Sequence, residues 1–160
     1  VGTAINCQSQ RYVDMDDNFS IYIPPKAMEN ETLQTYYKYY ENSCKNHYKL
    51  VRRELRNEGI EGEKANDIMR TMLPIGVACN LTMGFTVEAL INFMHKRLCV
   101  RADEPIRKVA QLMRKAIIDV EPRYADLLIP QCVDKMYCPE KHSCGAYPSK
   151  EEVHKKIFGK

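Results

Sequence analysis

Asp67–Arg107 reads DIMRTMLPIGVACNLTMGFTVEALINFMHKRLCVRADEPIR. This stretch decides the fold. It predicts two helices, a break between helical segments at Leu73-Pro74, and arginines set beside apolar positions. Val87, Leu90, Ile91, Met94 and Leu98 recur at i, i+3, i+4, i+7 and i+11, one stripe of a helix. Glu88, Asn92, His95, Lys96 and Cys99 lie mostly off it. Such a helix buries one side, and its Asn, Lys and Arg can line a site for a polar, anionic ligand. The plainer reading is a core helix with a solvated face, and periodicity alone favours it.

Working outward, Glu63–Met72 predicts a short helix that delivers Arg70 just before Pro74. Upstream, Glu29–Asn57 predicts one long helix, with Asn30 as its N-cap and Glu31 in its first turn. Leu33, Tyr36, Tyr37, Tyr40, Cys44, Tyr48, Val51 and Leu55 form an apolar and aromatic stripe. Packing tyrosines with wet hydroxyls are favoured there over a stacking platform for bases. Gly59 and Gly62 end the helix. Phe19, Ile21 and Ile23 alternate with Ser20 and Tyr22 as a short strand, stopped by Pro24-Pro25. Asp14–Asn18 reads as a turn. Downstream, Pro105 opens a helix, with Asp103 and Glu104 near its positive end. Ile106, Val109, Ala110, Met113, Ala116, Ile117 and Val120 are its core stripe, and Pro122 ends it. Tyr124–Ile129 adds a short closing helix. Ser149, followed by Glu151-Glu152, caps a last one.

The 160 residues suit one domain, and 44% hydrophobic content suffices for a core. Mean hydropathy is −0.47, which points to a soluble protein. No apolar run approaches the roughly 20 residues that span a bilayer, so no membrane partner is expected. Net charge is +3, from 24 basic and 21 acidic residues. That balance does not demand nucleic acid, and it suits phosphate-bearing small molecules. Seven cysteines, with no secretory mark, favour reduced thiols in a cytoplasm. In the tail, Cys132, Cys138, His142 and Cys144 are spaced C-x5-C-x3-H-x-C, without the tight C-x2-C knuckle of zinc sites. Free thiols or one opportunistic disulfide are therefore expected there rather than metal. No G-x-S-x-G, H-E-x-x-H, Walker loop or G-x-G-x-x-G is present.

The block Arg70, Leu73-Pro74, Asn92-Phe93, Arg97 and Ala102 through Ile106-Arg107 resembles the C-terminal half of the flavin-dependent thymidylate synthases. A second resemblance lies upstream. That family's signature is Arg-His-Arg-x-x-Ser-x-Asn-x-x-Ser-x-Arg-Tyr, and Asn6, Ser9, Arg11 and Tyr12 match its second half. The resemblance covers about Ala4 to Val120. It implies a flavin-dependent thymidylate synthase-like domain over 1–130, with its N-terminal part outside the sequence, and a cysteine-containing tail over 131–160. The expected fold is α+β, a small antiparallel sheet packed against a mainly helical C-terminal two-thirds. The reaction implied is reductive methylation of dUMP to dTMP. Methylenetetrahydrofolate gives the carbon, and NADPH supplies reducing equivalents through FAD.

By the same resemblance, Ser9, Gln10, Arg11, Arg70 and Arg97 would hold dUMP, with Ser9 and Arg97 as the catalytic residues. Guanidinium forks suit phosphate, and Ser9 with backbone amides would complete the cradle. Thr86, Glu88, Asn92, Lys96, Arg97 and Arg101 would face FAD. A homotetramer with sites at subunit junctions is implied. Departures fall mainly on the flavin side. Val1 and Ala4 stand at the second Arg and the first Ser of the signature, and the Arg-His pair is expected upstream of Val1. Cys7 replaces an acidic residue. Thr86 and Glu88 stand where many members carry Asn and Arg, and Arg101 where His is common. These departures keep a second reading open, a non-catalytic pyrimidine-nucleotide-binding or scaffold protein on the same fold.

Overall fold

The computed structural model describes residues 2–15 and 19–159. Val1 and the Asp16–Asn18 part of the expected turn lie outside the described residues. The fold is α+β, and the chain divides into two compact units. One takes in Ile5–Thr82, the other the remaining described residues, 2–4 and 83–159.

Two strands, β1 (Thr3–Cys7) and β2 (Leu81–Phe85), form the sheet. The Thr86 amide donates to Gly2 O at 2.6 Å, and the Gln8 amide to Asn80 O at 2.9 Å. Early residues of one strand thus meet late residues of the other, an antiparallel register. The strand expected over Phe19–Ile23 reduces to one antiparallel bridge, Ile21 opposite Val77. It is flanked by Tyr22 N to Gly76 O at 2.8 Å and Ala78 N to Ser20 O at 2.9 Å. That ladder cannot lengthen. One end runs into Pro24 and Pro74, which lack the N–H a ladder needs, and at the other Asn80 already pairs with Gln8.

In the Ile5–Thr82 unit, α1 (Pro25–Met28) leads into α2 (Glu31–Asn57). Asn30 caps α2 as expected, its side chain accepting from Leu33 N at 3.0 Å. The helix closes with Gly59 N to Arg56 O at 3.0 Å and Ile60 N to Leu55 O at 2.8 Å. That bonding requires a left-handed residue, supplied by Gly59 at φ 71°. The core is Phe19, Tyr48 and Met69, with Cys44, Val51 and Leu55 of α2 against it. The expected stripe is buried only over this second half of α2. Leu33, Tyr36 and Tyr40 are exposed. A helix of 27 residues runs about 40 Å, more than this small core can cover. Next comes α3 (Gly62–Met69), continued by a 3-10 turn, Arg70–Met72. Leu73, before Pro74, is extended at ψ 133°.

In the other unit, α4 (Val87–Arg97) and α5 (Glu104–Val120) pack around Met94, Ala110 and Leu128, all fully buried. Arg114 stitches the 125–128 turn to α5 by donating to Leu128 O at 2.6 Å and Ala125 O at 3.0 Å. Three expected core positions are corrected along α5. Val109 and Val120 are 47% and 86% exposed, and Ala116 is exposed as well. The inward stripe is Ile106, Ala110, Met113 and Ile117, while Val109, Leu112, Ala116 and Val120 make a second apolar stripe beside it. Both have helical spacing, so the pattern alone does not say which one the chain buries. Val87 on α4 is likewise exposed. The expected closing helix is a 3-10 turn over Pro122–Tyr124 followed by turns, after which come α6 (Gln131–Lys135) and α7 (Lys150–Phe158). Ser149 and Glu152 form the expected capping box of α7. Among the described residues no helix is long and apolar enough to cross a membrane.

Candidate functional site: two arginines on one carboxylate, and the two ends of α4

The turn after β1 carries Ser9, Gln10 and Arg11. Ser9 O accepts from Val13 N at 3.0 Å, and Ser9 Oγ from Arg11 N at 3.3 Å. This aims Arg11 at α3. Glu63 and Asp67 there, and Arg70 just past its end, stand at i, i+4 and i+7 and share one face. Arg11 pairs with Glu63 Oε1 at 2.6 Å and reaches Asp67 Oδ1 at 3.9 Å, while Arg70 pairs with the same Asp67 oxygen at 3.0 Å. All four side chains are about half exposed. Ion pairs this wet are worth about 0–1 kcal/mol, so the guanidiniums can exchange these carboxylates for a phosphate at little cost. Arg11 and Arg70, singled out from sequence, thus belong to one patch, Ser9 adjoins it through the Arg11 amide, and Gln10 lies half-buried in its turn.

Beside it in the same unit is a cleft of about 280 Å³ lined by Tyr12, Asp14, Arg52, Arg56, Glu61 and Asn66, among others. Arg52 pairs with Asp14 and donates to Asn66 Oδ1 at 2.8 Å. Burial, with Arg56 nearby, lowers the pKa of Arg52 from its usual value. Sequence reasoning missed this pair. The available signal was Arg52 and Arg56 at i, i+4 on α2, overshadowed by the tyrosine stripe.

The residues assigned to the flavin divide along α4. Thr86 caps the helix, its hydroxyl accepting from Ala89 N at 3.3 Å. Thr86, Glu88 and Asn92 line a small cleft of about 120 Å³ with Gly2 and Ala89. Gly2 is needed there, since a Cβ would collide with Thr86 Oγ1. Lys96 and Arg97 lie exposed in the last turn. At 1.5 Å per residue, Arg97 stands about 14 Å along the axis from Glu88. Arg97 has no ion-pair partner among the described residues. Arg101 lines a different cavity of about 20 Å³, together with His95, Cys99, Cys132, Cys138 and Cys144. Burial first, then Cys99, pushes the Cys132 thiol up. Among the described residues, no three His, Cys, Asp or Glu are set to hold a metal ion. Thr86, Glu88 and Asn92 are therefore brought together, whereas Lys96, Arg97 and Arg101 are not part of that cleft.

These elements, an antiparallel strand pair and helices with exposed arginines, define an α+β protein. Residues 2–123 match the family model described as thymidylate synthase complementing protein. The chain is 30% identical over 148 residues to a flavin-dependent thymidylate synthase of Nitratidesulfovibrio vulgaris, covering 91% of this chain and 60% of that relative. It is 32% identical over 158 residues to one from Clostridium tetani, covering 92% and 62%. A third, from Sulfurisphaera tokodaii, is 30% identical over 125 residues, covering 78% and 45%. The chain belongs to the thymidylate synthase complementing protein family. It spans about three fifths of the length of the Nitratidesulfovibrio vulgaris and Clostridium tetani relatives.

Proposed function

We propose that this chain supplies the nucleotide-binding part of a flavin-dependent thymidylate synthase, which reductively methylates dUMP to dTMP. The observation that carries the reading is the convergence of Arg11 and Arg70 on one Asp67 oxygen, at 3.9 and 3.0 Å. A phosphate arriving there trades three weak, wet ion pairs, Arg11 with Glu63 and with Asp67 and Arg70 with Asp67, for two charge-assisted forks. Ser9, Gln10, Arg11, Arg70 and Arg97 are the proposed dUMP ligands. Ser9 is proposed at the phosphate and Arg97 at the uracil end, where a cation can stabilise negative charge developing on the base.

The carbon would come from methylenetetrahydrofolate and the reducing equivalents from NADPH. The relatives' names imply a flavin, and FAD is the form proposed. The cleft of Thr86, Glu88 and Asn92 offers about 120 Å³, against roughly 300–1,000 Å³ for ligand pockets, and Glu88 repels a diphosphate. These residues do not fit a whole flavin dinucleotide. A homotetramer with junctional sites answers that shortfall, and the exposed stripe Val109, Leu112, Ala116 and Val120 offers a self-complementary apolar face. A cytoplasmic setting is proposed with it, in keeping with the free thiols.

Glu88 in that cleft favours a second reading, a pyrimidine-nucleotide binder without flavin chemistry. One assay separates the two. The chain is incubated with dUMP, FAD, NADPH and methylenetetrahydrofolate, and dTMP is followed by chromatography, with flavin retention read by absorbance after gel filtration. Formation of dTMP supports the enzyme. Binding of dUMP with neither turnover nor flavin retention supports the binder. Absence of dUMP binding overturns both.

A further inference from the structure

Cys7, the last residue of β1, and Cys79, two residues before β2, place their sulfurs 3.5 Å apart. Both are exposed. The register beside them is pinned twice, by Gln8 N to Asn80 O at 2.9 Å and by Asn80 N to Gln8 Oε1 at 3.3 Å. A disulfide needs about 2.05 Å between sulfurs, so the pair must close by roughly 1.5 Å. The other thiols are placed differently. Cys138 is buried, while Cys44, Cys99 and Cys132 are half-buried. Cys144 is exposed but lies in the tail.

We propose that Cys7 and Cys79 are a modification site, a dithiol that peroxide converts reversibly to a disulfide. Hydrogen peroxide oxidises one thiol to a sulfenic acid and leaves as water. The second thiol attacks that sulfur, the S–O bond breaks, and a second water departs with the remaining proton. Overall two thiols lose two electrons and two protons to one peroxide, and a small thiol such as dithiothreitol reverses the change by exchange. The bond would tie the end of β1, where the Ser9–Arg11 turn begins, to the segment leading into β2. The Cys7 thiol is pushed up, first by its hydrogen bond with Cys79, so Cys7 offers little thiolate at neutral pH and its oxidation is slow.

The fully reduced chain is treated with a small excess of hydrogen peroxide, blocked with N-ethylmaleimide at low pH, and mapped by non-reducing peptide mass spectrometry. The expected result is a mass loss of about 2 Da before blocking, two fewer blocked thiols, and a Cys7–Cys79 linked peptide that dithiothreitol abolishes. In Cys79→Ser the linkage is lost, and dimedone traps a sulfenic acid at Cys7. Both thiols remaining alkylated after peroxide would overturn the proposal. A dominant cross-link elsewhere, such as within Cys99, Cys132 and Cys138, would overturn it too.

Discussion

The Arg11–Asp67–Arg70 patch and the end of α4 carry similar cations in opposite electrostatic states. In the patch, two guanidiniums are matched by two carboxylates, Glu63 and Asp67, on the same surface. At the end of α4, Lys96 and Arg97 stand exposed, and no ion-pair partner is recorded for Arg97 among the described residues. The patch is therefore pre-oriented but must release an internal anion before it takes an external one. Arg97 pays no such exchange but is held only by its own side-chain torsions. Orientation and availability trade against each other, because every charged contact that fixes an arginine also occupies it.

The largest expected effects lie under each surface. Met69 and Met94 are fully buried at the centres of the two cores, and truncating either to Ala should cost about 2–5 kcal/mol, measured by denaturant melts. A cost below about 1 kcal/mol for either would deny it a central place in its core. Next is Arg97→Ala. Losing one charge-assisted contact should weaken dUMP binding by about 1.5–3 kcal/mol, roughly ten- to a hundredfold. Unchanged affinity by calorimetry, in a variant still folded, removes Arg97 from the nucleotide site.

A smaller effect, opposite in sign, tests the idea that Asp67 competes with phosphate. Asp67→Asn should tighten dUMP binding several-fold, within about 1 kcal/mol, because the pairs it breaks are half exposed. Weaker binding in that variant would mean that Asp67 orients the arginines more than it occupies them. The smallest effect concerns the capping box of α7. Hydrogen bonds from the Ser149 backbone and side chain hold the Glu152 carboxyl below its ordinary value. Its contribution is present above the unfolded value and is lost as pH falls through the lower folded one. The Ser149 amide resonance should therefore shift only below the ordinary glutamate range, and a midpoint at or above that range would contradict the box.

Local rules made much of the fold legible. Asn30, Thr86 and Ser149 all accept at helix N-termini, and two of them, Asn30 and Ser149, were readable from residue type and position. What the sequence left undecided was which of two equivalent faces is buried, as on α5, where Val109 and Ala110 both satisfy helical spacing. Strand partners were also hidden. Phe19–Ile23 alternates well, yet its ladder stops at Pro24 opposite Pro74, a pairing across fifty residues. Within the candidate site, Ser9, Arg11 and Arg70 were legible through family-like motifs. Their carboxylate partners and the Arg52–Asp14 pair were not, because ion-pair choice depends on helix faces meeting in three dimensions.

The central claim is that Arg11 and Arg70 hold a nucleotide phosphate. It is tested most directly by calorimetric titration of the chain, Arg11→Ala and Arg70→Ala with dUMP and with deoxyuridine, which lacks the phosphate. The account predicts that the unaltered chain prefers dUMP by roughly tenfold or more, and that either substitution removes most of that preference while leaving deoxyuridine binding nearly unchanged. Equal affinity for the two ligands, or a phosphate preference that survives both substitutions, would contradict it.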